Sequence, residues 1–396
     1  MKKLIVSTAV AMSLGAIASS ATAQEDIKVG VFLGLTGPLE SLVANMAPGA
    51  EAAITEVSES GLLLEGTTVT AVRADTTCVD AAAATAAIER LITSDNVAGV
   101  VGGDCSGVTT AALTNVAMPN GMVMISPSAT SPALSTLEDN GLFFRTAPSD
   151  ARQGVVMTDI IMDRGFTEVA LTYTNNDYGK GLADAFQSAF EERGGTVTIS
   201  ASHEDNKADY SAEVGALASA GGEILVVAGY LDSGGKGIIQ GALDTGAFDT
   251  FVLPDGMVGS ELPKAIGADL DGSFGQAPGT DSEGAAMFAE MAEGFDPTSP
   301  FAGESYDAAA LLLLAMQAAG STDPQAYKEN VMDVANAPGE QILPGQLAKA
   351  LEILADGGDI DYVGASNVEL IGAGESAGNY REIEIKDQEV STVGFR

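Results

Sequence analysis

Two short stretches in the first half of the chain bunch hydroxyls with glycine and proline. Gly102-Gly103-Asp104-Cys105-Ser106-Gly107 and Ser126-Pro127-Ser128-Ala129-Thr130-Ser131-Pro132 each follow an apolar run. Hydroxyls beside free backbone N–H groups at a helix start can hold an anion such as a carboxylate, each helix dipole adding roughly 0.3–1 kcal/mol. Plain helix capping uses the same residues and explains either stretch taken alone. Two of them on successive strands favour a ligand. A second set lies further on, in Thr174-Asn175-Asn176-Asp177-Tyr178-Gly179, Gly229-Tyr230 and Pro254-Asp255-Gly256. A tyrosine can cover an apolar body and offer a hydroxyl. An aspartate can pair with an ammonium, although Asp-Gly is also ordinary turn chemistry.

Enzyme motifs mostly fail. Gly229 to Lys236 looks like a phosphate loop but is misspaced, and Gly237 stands where Ser or Thr would bind magnesium. Around Ser106, Asp104 takes the place of the first glycine of G-x-S-x-G. A Ser/His pair would have to recruit His203, which sits in the polar run Ser202–Asn206 and reads as an exposed surface residue. One histidine excludes a multi-His metal site. Carboxylate pairs carry no signal in so acidic a chain. No catalytic residue, metal or cofactor is expected.

The elements that must position these groups alternate. Strand-like runs are Ile27–Leu33, Thr67–Arg73, Val97–Val101, Met122–Ile125, Glu168–Tyr173, Thr196–Ser200, Ile224–Ala228 and Phe251–Leu253. Helical stretches such as Ala44–Ser60, Asp80–Thr93, Gly107–Met118, Arg152–Arg164 and Gly179–Arg193 separate them. Short apolar runs between longer helical stretches mean parallel sheets covered on both faces, a doubly wound α/β fold. In such sheets ligands sit beyond the carboxyl ends of the strands, where both sets of residues fall. After Gly272 the pattern turns helical: Ser282–Phe295, Ser305–Gly320, Pro324–Ala335 and Gln346–Ala355, then a late strand, Tyr380–Lys386. A helical block followed by a strand suggests that the chain recrosses between two lobes. The lobe boundary is placed near Pro148. The first lobe is expected to hold residues 27–147 and about 279–362, the second 148–278 and about 363–396.

Composition sets the outer limits. With 396 residues the chain has room for two or three domains. Its 18 Lys+Arg against 55 Asp+Glu, a formal charge of −37, argue against nucleic acid and against anionic lipid. Met1-Lys2-Lys3, the apolar run Leu4–Ala18 and Ala21-Thr22-Ala23 form a secretory signal peptide, residues 1–23, with cleavage expected before Gln24. Cys78 and Cys105 are the two cysteines, and an oxidising compartment favours their pairing over two buried thiols.

An exported, two-lobed α/β chain with these strand-end residues resembles the leucine/isoleucine/valine-binding family, periplasmic receptors of ABC importers. The likeness runs from Ile27 to the C-terminus. It rests on IKVGVFLGLTGP (27–38), GVVGGDCS (99–106), MISPSATSPAL (124–134), NDYGKGLA (176–183), Gly229-Tyr230, Pro254-Asp255-Gly256 and YDAAALL (306–312), in that order. The resemblance implies a type I periplasmic binding fold, two lobes joined by a multi-crossover hinge. It implies no enzyme activity, no cofactor, membrane permease subunits as partners and a monomer in the periplasm.

The resemblance also implies roles residue by residue. Ser106 and Thr130 match the hydroxyls that hold the ligand's α-carboxylate. Ser128 matches a position whose carbonyl takes the α-ammonium, together with Tyr230 and Asp255. Tyr178 matches an aromatic that closes over the side chain. Leu42, Cys105, Ala129, Gly256 and Phe301 fall at the side-chain pocket, and Cys78 and Cys105 match the family's disulfide. Asp255 stands where Glu is common, and Leu42 where Tyr is common. Both substitutions bear on ligand identity, which stays open between a branched-chain or other apolar amino acid and, as alternatives, an amide, an aromatic acid or a sensing role. An ionised Asp255 would repel a ligand that lacks an amino group. Closure of the hinge would then bring Tyr178, Tyr230 and Asp255 onto a ligand held by the first lobe.

Overall fold

Val29, Val31, Phe32 and Leu33 are all fully buried, so the run they share has no face to give to water. Strands of this kind need helices on both sides. In the computed structural model, which describes residues 26–396, that run is β1 (Asp26–Leu33). It is followed by β2 (Thr68–Asp75), β3 (Gly99–Gly102), β4 (Met124–Ser126) and β5 (Phe143–Pro148). A second series repeats the plan: β6 (Glu168–Thr174), β7 (Thr196–His203), β8 (Ile224–Ala228), β9 (Phe251–Leu253) and β10 (Phe274–Pro278). Then come β11 (Glu340–Ile342), β12 (Ile360–Tyr362), β13 (Leu370–Ile371), β14 (Glu375–Ser376), β15 (Tyr380–Lys386) and β16 (Glu389–Phe395). The signal peptide expected over residues 1–23 lies outside the described residues.

The strands form two seven-stranded sheets and one small pair. The first sheet runs β13-β14-β5-β4-β3-β1-β2 and the second β16-β15-β10-β9-β8-β6-β7, while β11 pairs with β12. β1 to β5 are mutually parallel, as are β6 to β10. β15 joins antiparallel to β10, and β16 antiparallel to β15. The helix Ala302–Ala319 packs along Glu40–Ser60 on the first lobe, and nearly all of it is buried. This is the doubly wound two-lobed α/β fold expected from the alternation.

The chain passes between the sheets after β5, after β10 and after β14. The last passage falls at residues 377–379 rather than near 363, because β13 and β14 first extend the edge of the first sheet beside β5.

One part of the sequence reading needs correction. His203 is 1% exposed, not a surface residue, because β7 continues past Ser200 and carries it inside. Its Nδ1 lies 2.9 Å from the Thr172 hydroxyl, and burial lowers its pKa to about 4. The stretch from Arg145 to Pro148 forms most of β5. Arg145 is almost fully buried, and its guanidinium donates to the Ala129 and Ser131 carbonyls, to Ser135 Oγ and to Glu375. A buried guanidinium is tolerated where its donors are met in this way. It thereby ties β5 to the loop after β4.

Candidate functional site

The loop after β3 is made possible by Gly102. Its φ is +133°, and a Cβ there would lie 2.0 Å from the Phe32 carbonyl oxygen. Only glycine lets β3 turn this close to β1. The turn delivers Asp104, Cys105 and Ser106. Cys105 and Cys78 form a disulfide that ties this loop to the one after β2. The Asp104 carboxylate accepts from Gly34 N–H at 2.9 Å and Thr76 Oγ1 at 2.6 Å, which fixes the loops after β1 and β2 as well.

The loop after β4 is held from inside. Ser126 Oγ donates to the Gly103 carbonyl and accepts from the N–H groups of Ser128 and Ala129. Ser128 Oγ donates to the Asp104 carbonyl at 3.1 Å. Ser106 Oγ accepts from Ser131 N–H at 3.1 Å, which leaves its own hydrogen free to point elsewhere. The Thr130 hydroxyl is buried and has no partner in hydrogen-bonding geometry. Buried hydroxyls are normally satisfied, so such an orphan asks for a water or a ligand.

The second lobe meets these loops with a compact polar and aromatic cluster. Asp255 follows β9 and is 1% exposed. Its Oδ1 accepts from the Tyr178 hydroxyl at 2.6 Å and from Gly256 N–H at 2.7 Å. Burial raises its pKa, and the hydrogen bond from Tyr178 opposes that rise. Tyr178 and Tyr230 stack with ring centroids 5.3 Å apart. The Asn176 amide donates to the Tyr230 hydroxyl at 3.3 Å. Burial pushes both tyrosine hydroxyls well above their usual range, so they stay protonated donors. Gly256 permits the contact: a Cβ on it would lie 2.6 Å from the Gly229 carbonyl oxygen and 2.9 Å from Tyr178 Oη.

These groups line one small cavity between the lobes. Leu39, Asp104, Cys105, Ser106, Ser128 and Phe301 wall it from the first lobe, and Tyr178, Tyr230, Asp255 and Gly256 from the second. Its volume is about 20 Å³, room for one water molecule but not for an amino acid. The lobes are therefore shut on each other. Across the mouth, Asp232 Oδ2 accepts from Ser41 N–H at 3.0 Å and Ser41 Oγ at 2.7 Å, and Asp232 N–H donates to the Pro38 carbonyl. These contacts join the two lobes directly.

Of the residues singled out in the sequence, Cys105, Ser106, Ser128, Tyr178, Tyr230, Asp255, Gly256 and Phe301 meet on this cavity. Ala129 and Thr130 lie behind its wall, next to Ser128. Leu42 is not on it. Leu42 sits one turn further along its helix and faces a separate inter-lobe cavity of about 630 Å³ with Val258 and Gly259. Leu39, the residue just before that helix, takes the place expected of Leu42. The sequence reading also passed over Asp104, weighing it only as a break in a motif. Its position between a β3 strand end and a hydroxyl cluster was the available signal.

Two lobes shut over a cavity walled by both define a ligand-binding protein of the hinged type. The Periplasmic binding protein family matches residues 26–339. The Leu/Ile/Val-binding protein homolog 1 of Brucella melitensis is 31% identical over 359 residues, 86% of this chain and 94% of that one. The leucine-binding protein LivK of Thermotoga maritima has the same fold, with a TM-score of 0.79 at 22% identity over 93% of this chain and 98% of its own. So does a solute-binding protein of an ABC transporter from Rhodopseudomonas palustris HaA2, solved with p-hydroxybenzoic acid. Its TM-score is 0.74 at 18% identity, over 94% of this chain and 97% of that one. The chain belongs to the periplasmic binding protein family, among the Leu/Ile/Val-binding proteins, and is a receptor rather than an enzyme.

Proposed function

We propose that the chain is an exported receptor that binds an amino acid with an apolar side chain and presents it to the permease of an ABC importer. One observation carries this reading: a single cavity joins first-lobe hydroxyls, with the internally hydrogen-bonded Asp104 beside them, to the buried Asp255 carboxylate of the other lobe. Ser106, with Thr130 behind it, would donate to the α-carboxylate. Asp255, Tyr230 and the Ser128 carbonyl would take the α-ammonium. Among the described residues no lysine, arginine or histidine lines the cavity. A plain carboxylate would bring an unmatched negative charge towards Asp255, whereas a zwitterion carries its own counter-charge. Phe301, Leu39 and Tyr178 supply apolar wall for the side chain. The Leu/Ile/Val-binding relative supports the same class of ligand.

Binding would proceed on the open form. The first lobe takes the carboxylate, and closure adds the second lobe's groups. Ligands that touch both lobes stabilise the closed shape, which the permease would read. The signal peptide expected over residues 1–23 and the family support export to the periplasm. The test is calorimetric titration of L-leucine into the wild type and Asp255→Asn. At least a tenfold loss of affinity is expected, in line with about 1.5–3 kcal/mol for a hydrogen bond to a charged group. Equal affinity in the two proteins would overturn the assignment.

A further inference from the structure

Behind the cavity wall lies a set of buried polar side chains that the ligand contacts proposed above do not use. Both carboxylate oxygens of Asp150, both amide atoms of Gln153 and of Gln276, and the hydroxyls of Thr130 and Tyr380 lack a partner in hydrogen-bonding geometry. All five residues are almost fully buried. Asp150 opens the helix Asp150–Asp163 at the first passage between lobes, and its N–H donates to the Thr130 carbonyl at 2.8 Å. Its carboxyl lies against the Thr130 hydroxyl.

No cation is bonded to Asp150. The Arg145 guanidinium is committed to Ala129, Ser131, Ser135 and Glu375. The groups that act on this region are Asp255 from the second lobe, Tyr178 on its helix, Tyr380 on β15, Arg152 on the same helix as Asp150, and Arg145 on β5. Burial and the charge of Asp255 both hold the Asp150 carboxyl well above the usual carboxylate range. An ionised Asp150 would accept the Thr130 hydrogen and place a second negative charge beside the ligand's carboxylate. A protonated one donates to Thr130 Oγ1 and turns the Thr130 hydrogen outward.

We propose that Asp150 is a positioning residue for the ligand's carboxylate, acting as a neutral acid that donates to Thr130 Oγ1 so that the Thr130 hydroxyl can donate to the ligand. This rests on the amino-acid reading above and on the role given there to Thr130. Asp150 itself touches no ligand. The proton it uses is its own and is not transferred, so binding consumes and releases none at this residue.

The test compares L-leucine with L-leucinamide, which lacks the carboxylate, by calorimetry on wild type, Asp150→Leu, Asp150→Asn and Thr130→Val. Chemical unfolding of each variant separates lost folding from lost affinity. Asp150→Leu is expected to weaken leucine at least tenfold while changing leucinamide less than threefold. Asp150→Asn, which keeps a neutral donor, is expected to restore leucine to within threefold of wild type. In the double variant with Thr130→Val the two losses should not add, because both act through one hydroxyl. An Asp150→Asn protein that binds leucine tenfold tighter would overturn the proposal, since it would mean an ionised Asp150 had been opposing the ligand. Equal losses for leucine and leucinamide would also overturn it and leave Asp150 a structural residue. If neither compound binds the wild type, the amino-acid reading fails first and takes this one with it. Leucine binding with an unchanged Asp150→Leu refutes this inference alone.

Discussion

Replacing Asp232 by alanine removes the hydrogen bonds that tie the two lobes across the mouth of the cleft. One oxygen, Oδ2, takes both the N–H and the hydroxyl of Ser41, at 3.0 and 2.7 Å. The backbone bond from Asp232 to Pro38 survives the substitution. Hydrogen bonds to a charged group are worth about 1.5–3 kcal/mol each. Here both share one partly exposed acceptor, so the lower value for the pair is the better guide. About 1.5 kcal/mol converts to roughly a tenfold rise in Kd, if the bonds exist only in the closed form. The loss should fall on koff, since the contacts form after the ligand has entered. Ser41→Ala, which keeps the backbone N–H, should cost less. Stopped-flow binding and calorimetry on Asp232→Ala read both quantities, and unfolding by urea should change little. Unchanged affinity, or a loss confined to kon, would refute the reasoning that closure is held by this contact.

Other expectations concern stability. Burial pushes Glu304 up to about 7, against a usual value near 4.5. A raised carboxylate contributes stability that is intact below about pH 4.5 and lost as pH rises through 7. Glu304→Gln should therefore stabilise the protein by about 3 kcal/mol at pH 8 and by little at pH 4.5, read from urea unfolding at both values. No difference between the two would mean the carboxyl is hydrated. Reducing the Cys78–Cys105 disulfide, which closes a sequence separation of 27, should cost about 3.5 kcal/mol of stability. Because Cys105 walls the cavity, reduction should also weaken ligand binding, which titration with and without reductant would show.

Most of the fold could be read from the sequence because its buried strands are apolar runs with helical stretches between them. The strands that escaped have specific reasons. β5 contains Arg145 and Thr146, and β10 contains Gln276. These polar residues are buried in the folded protein, which no local pattern reveals. β16 was missed because its hairpin turns on Asp387 and Gln388, at φ of 53° and 63°, without the glycine that marks such turns. The buried His203 belongs with these, since a polar flank hid the end of β7. In the site, strand-end residues were legible because parallel sheets put ligands there. Leu39 stands just before the helix that carries Leu42, and choosing between them needs the depth of the cleft. Asp150 lay outside every motif, and its meaning depends on the orphaned polar atoms that tertiary packing gathers around it.

The most direct test is a thermal-shift screen of residues 24–396 against the L-amino acids, their amides and 4-hydroxybenzoate. Ligand at 100 times its Kd adds about 2.7 kcal/mol, a shift of a few degrees in a two-state protein of this size. Stabilisation by L-leucine, L-isoleucine or L-valine, with none from 4-hydroxybenzoate, is the expected result. Stabilisation by 4-hydroxybenzoate alone would contradict the role given to Asp255 and with it the amino-acid receptor.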